Sequence, residues 1–128
     1  MKLHVHRLVG LILLLNLLFL LASCVNPLGE RDYAEDLYIS IPDSDCQILI
    51  KEWQYLLGSG EEVYFVRPSD KQPQLLGTMS GGDDGYLPFA NGKYTVHFSE
   101  GTVTFSWSFN GDDSYTRSES FILPEVSD

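Results

Sequence analysis

From residue 37 onward the chain falls into short apolar-rich runs separated by turn formers, and in the clearest of them the apolar positions recur every second residue. "LYISI" (37–41) puts Leu37, Ile39 and Ile41 on one side, and "KYTVHFS" (93–99) does the same with Tyr94, Val96 and Phe98. "TVTFSWSF" (102–109) is the clearest case: Val103, Phe105, Trp107 and Phe109 alternate with Thr102, Thr104, Ser106 and Ser108. A period of two sustained this long marks a strand with one buried face, so Trp107 and Phe109 are expected in the core. "CQILIKEW" (46–53), "EVYFVR" (62–67) and "QLLGTM" (74–79) read as further strands. "YTRSESFIL" (115–123) is polar enough for a sheet edge.

The separators are "PDSD" (42–45), "GSG" (58–60), "RPSDKQP" (67–73), "SGGDDG" (80–85), "NG" (91–92), "EG" (100–101) and "NGDDS" (110–114). About seven short strands at this spacing predict a small all-β fold over 37–124, an antiparallel β-sandwich or barrel, with a tail at 125–128. Glu100-Gly101 predicts a tight hairpin. One stretch admits a second reading. Ser44 and Gln47 have capping-box spacing, and Leu49, Trp53 and Leu56 share a helical face, so a helix over 45–57 competes with a strand bending near Trp53. The β-branched Ile48 and Ile50 favour the strand.

The first 24 residues follow another pattern. A basic start (Lys2, Arg7) precedes the apolar run 8–22, broken only by Asn16, and the small-residue end "LASC". This is the layout of a secretory signal helix, and it is short for a membrane span. Leu21-Ala22-Ser23-Cys24 resembles the lipobox of bacterial lipoproteins. The resemblance covers residues 1–24 only. It implies cleavage between Ser23 and Cys24, a diacylglycerol on the Cys24 thiol, and attachment to the membrane. Val25 in place of Asp implies the outer membrane in a two-membrane host, and the outer face of the plasma membrane in a one-membrane host. At about 0.8 kcal/mol per buried CH₂, two or more acyl chains hold a protein stably. "VNPLGERDYAED" closes the segment 24–36, which reads as a tether.

Charge narrows the partners. Lys2 and Arg7 leave with residues 1–23, so six bases face 18 acids and the mature net charge is −12. Such a chain repels phosphate backbones and anionic headgroups, which sets nucleic acid aside. With Cys24 lipidated, Cys46 has no disulfide partner and reads as a small buried hydrophobe.

Chemistry-bearing motifs are sparse. His97 is the only histidine after the signal, on the polar side of its strand; no nucleophile elbow, zinc spacing or phosphate-binding loop occurs. No catalytic residue is assigned, and no cofactor beyond the acyl lipid is implied. "GDDGY" (82–86) and "GDDSY" (111–115) stand 29 positions apart. Asp83, Asp84, Asp112 and Asp113 are calcium candidates by ligand type, but turn chemistry alone explains both segments. Strand parity bears on this. If "YLPF" (86–89) is a strand, three strands separate the segments and they lie at opposite ends. If Pro88 makes it a loop, they can meet. Tyr86 and Tyr115, each following a GDD turn, are candidate ligand contacts for a sugar or peptide; rings packed over loops are the favoured reading. The expected function is a lipid-anchored, exported, non-enzymatic binding or scaffolding module at the cell envelope with a protein or glycan partner. The alternative is a small envelope hydrolase or an accessory subunit of carbohydrate uptake.

Overall fold

A computed structural model describes residues 8–18, 30–56 and 58–125. Two compact units divide the chain after Glu30. In the first, residues 8–18 are helical, and Asn16 Nδ2 donates to the Ile12 carbonyl at 2.8 Å, so the one polar residue of the run is satisfied inside its own helix. No helix among the described residues is long and apolar enough to cross a membrane. Ser23 and Cys24, the first part of the tether (25–29) and residues 126–128 lie outside the described residues.

The second unit is all-β. One antiparallel sheet holds β1 (Asp32–Tyr33), β2 (Leu37–Ser40), β3 (Gln47–Tyr55), β4 (Gly58–Val66) and β5 (Gln74–Ser80). Its order is β1-β3-β4-β5, with β2 sharing the β1 side of β3. The other sheet is β6 (Tyr94–Ser99), β7 (Thr102–Ser108) and β8 (Thr116–Ile122), in the order β6-β7-β8. Ile48, Ile50, Val63, Phe65 and Met79 from the first sheet meet Val103, Phe105 and Trp107 from the second in one core. Cys46, free and 2% exposed, joins it just before β3.

The seven expected strands form, within a residue or two at most ends. One open choice is decided, and three details differ. Within the segment 45–57, Gln47–Tyr55 is strand, the reading that Ile48 and Ile50 favour. Ser44 Oγ accepts from the Cys46 amide at 3.0 Å, two residues on, which makes a turn into β3 and not a helix cap. The "GSG" separator lies inside β4, because Tyr55 pairs Gly58 and Trp53 pairs Gly60. A Cβ on Gly60 would stand 2.4 Å from the Trp53 ring; glycine is there to let the indole lie flat on the sheet. The end of the segment read as tether contributes β1, so the compact unit starts at Arg31. β7 ends at Ser108, and Phe109 leaves the core to sit between Tyr115 and Arg117.

Candidate binding surface

Because paired residues of neighbouring strands share a face, register shows what each side of the five-stranded sheet carries. The inner row ends in two acids. Glu52 and Glu61 are cross-strand partners, 2% and 0% exposed. Glu52 accepts from the Phe89 amide at 2.9 Å and the Ala90 amide at 2.6 Å, and so pins the 88–92 turn and its buried Phe89. Glu61 has no hydrogen-bond partner on either oxygen. Burial, with Glu52 and then Glu119 nearby, pushes its pKa up to about 8. Burial also raises Glu52, against its two N–H donors. The donors favour the charge on Glu52, and Glu61 keeps its proton at neutral pH. A cavity of about 430 Å³ reaches Glu52 between Asp36, Leu37 and Phe89, but Glu61 does not line it. A sealed acid cannot protonate a substrate, so the pair lacks the access that glycoside hydrolysis requires.

The outer face is built differently. Tyr33 pairs Trp53, Tyr38 pairs Leu49, Leu49 pairs Tyr64, and Tyr64 pairs Leu75. Trp53 and Tyr55 stack with centroids 5.5 Å apart. The Arg31 guanidinium lies over Trp53 at 4.1 Å. Glu62 organises the group. It accepts from Arg31 at 2.9 Å and the Tyr33 hydroxyl at 3.2 Å on one oxygen, and from the Tyr64 hydroxyl at 2.8 Å on the other. That last bond, with partial burial and the Glu62 charge, raises the Tyr64 phenol to about 12. Leu49 is 2% exposed although it faces outward, away from the main core. Tyr33, Tyr38, Tyr55 and Leu75 remain exposed. The result is an aromatic face held in place by one carboxylate.

The residues singled out in the sequence lie elsewhere. "YLPF" forms no strand, so only β6 and β7 separate the two GDD segments, and the segments meet. The Asp83 amide donates to the Phe109 carbonyl at 2.7 Å. Tyr86 packs over Gly111, whose φ of +87° suits glycine. The four carboxylates do not converge. Asp112 Oδ1 accepts from the Ser114 amide at 2.9 Å, and this bond lowers the Asp112 pKa. Asp113 pairs Lys93 at 3.3 Å, while Asp83 and Asp84 sit in a short 3₁₀ turn with Asp84 left-handed at φ +49°. Among the described residues no three His, Cys, Asp or Glu side chains are grouped to hold a metal ion. Tyr115 is 48% exposed and meets Phe109 edge-on at 5.3 Å.

The aromatic face was missed by sequence reasoning, though its signal was present. Lys51, Trp53 and Tyr55 alternate with Glu52 and Gln54, and Glu62 and Tyr64 with Val63 and Phe65. Only the register shows that these are neighbours. No family model, curated protein or solved structure matches this chain.

Proposed function

We propose that the chain is an exported, lipid-anchored, non-enzymatic binding module of the cell envelope, held by an acylated Cys24. Its contact surface is the outer face of the five-stranded sheet. One observation carries this reading: Glu62 holds Tyr33, Tyr64 and Arg31 in a fixed array beside Trp53 on a face that no further strand covers among the described residues. Rings fixed in this way offer large apolar area at little entropic cost on contact. The lipobox supports the anchor.

An accessory role in carbohydrate uptake has its own support. A cleft of about 400 Å³ beside β6 and β7 is lined by Thr95, Ser106, Ser108 and Thr116 and rimmed by Lys93 and Asp113. Hydroxyls and one ion pair suit a polyhydroxylated ligand.

Two readouts on one preparation test the proposal. Intact mass of the membrane-extracted protein should show a chain beginning at Cys24 and carrying acyl mass. Hydroxyl-radical labelling should then mark Tyr33, Tyr38 and Tyr55 several-fold less in intact cells than in the purified protein, with Tyr115 unchanged. Equal labelling of all four in both samples would contradict the assigned surface.

A further inference from the structure

The acyl group and the aromatic face are close along the chain. Cys24 to Arg31 is seven residue steps, which span at most about 25 Å when fully extended. Arg31 is the first residue of the compact unit, and its guanidinium lies over the Trp53 ring. The chain therefore enters the domain at the aromatic face itself. We propose that the occupant of this face is the surface of the bilayer that holds the Cys24 lipid, so that the domain lies ring-side down on the headgroups.

This rests on the lipid-anchor reading, and three further observations support it. The exposed side chains are of the interfacial kind. Tyr33, Tyr38 and Tyr55 are 47%, 53% and 38% exposed, each with an apolar ring and a polar tip, and such rings settle at headgroup depth. Charge selects the same face. The mature chain carries −12, yet on this side Arg31 is matched by Glu62 and Lys51 by Asp36. The acidity that keeps most of the surface off anionic lipid is balanced here. Finally, a tethered domain needs only a weak contact, since the anchor supplies the effective concentration.

The two tryptophans make the test internal. Trp53 is on the proposed contact face and Trp107 is in the core, 2% exposed. The membrane-extracted, acylated protein is reconstituted in phosphatidylcholine–phosphatidylethanolamine vesicles, a fraction of whose lipids carry a nitroxide on the headgroup. Trp107→Phe reports Trp53 alone, and Trp53→Phe reports Trp107. If Trp107→Phe does not fold, the wild-type signal less that of Trp53→Phe gives the same quantity. Trp53 should be quenched at least two-fold more than Trp107. The combined change Tyr33→Ser, Tyr38→Ser and Tyr55→Ser should remove the difference without loss of acyl mass. Equal quenching of the two tryptophans in an acylated, vesicle-bound sample would overturn the docking and leave the anchor standing. A sample without acyl mass would remove anchor and docking together. Trp53 unquenched in vesicles, with Tyr33, Tyr38 and Tyr55 protected in cells, would assign the face to a protein or glycan instead.

Discussion

The two sheets share a core and differ in what they turn outward. The five-stranded sheet shows rings, a flat indole over a glycine and a guanidinium, tied together by Glu62. The three-stranded sheet shows hydroxyls. Thr104 bonds Ser120 at 2.7 Å and Ser106 bonds Ser118 at 2.6 Å across β7 and β8, with His97 the one titratable group in the pattern. Both faces are ordered, but the order has different consequences. Short hydroxyl pairs satisfy one another and lose little by remaining in water. Fixed, partly exposed rings keep apolar area exposed that only contact can bury. On these grounds the first face is the one proposed for contact.

The largest expected effect separates face from core. Trp107→Ala should cost about 3–5 kcal/mol, because Trp107 packs with Phe89 between the sheets. Trp53→Ala should cost about 1–2 kcal/mol, from lost stacking on Tyr55 and Arg31. Urea unfolding of both variants measures the difference; equal costs would make Trp53 a core residue and dissolve the contrast.

Next comes the buried pair beneath the aromatic face. Glu52→Ala should cost about 3 kcal/mol, since it strands the Phe89 and Ala90 amides. Glu61→Gln should do the opposite above neutral pH. The Glu61 pKa is raised from 4.5 to about 8. Between those values the unfolded chain has lost a proton that the folded chain keeps, so stability falls as pH rises, by up to about 1.4 kcal/mol per unit. Above pH 8 the loss is complete. Melting curves from pH 5 to 9 should show Glu61→Gln flattening much of this slope, with a remainder from Glu52, whose pKa is also raised. A wild-type protein that gains stability over that range would refute the assignment.

These acids also show how far the sequence could be read. The period of two located 37–41, 93–99 and 102–109 because their apolar residues face a core, and the other strands were read from their composition between turn formers. The same rule treats a polar residue at an inward position as an error, and Glu52 and Glu61 are such positions. Glu52 is tolerated because a turn 37 residues away supplies two amides, a partner that no local pattern reveals. Gly58 and Gly60 read as a break because the rings that cover them belong to the opposite strand. The two residues of β1 are too few for any period. The GDD segments raised a question that parity could frame, and it was settled by the turn at Pro88, which leaves two strands between them.

The smallest effects compare single bonds on the two faces. Tyr64→Phe removes the hydroxyl held by Glu62 and should cost about 1 kcal/mol. Ser106→Ala, losing its pairing with Ser118, should cost about 0.5 kcal/mol. If the order were reversed in chemical denaturation, the hydroxyl ladder would be the more deliberately built face.

The central claim is that the molecule makes its contacts through the aromatic face. A photo-reactive benzoylphenylalanine placed at Tyr38, and separately at Thr104 on the hydroxyl face, tests this in living cells. The account predicts envelope adducts, lipid or protein, from position 38 and almost none from position 104. Adducts from position 104 with position 38 silent would contradict it.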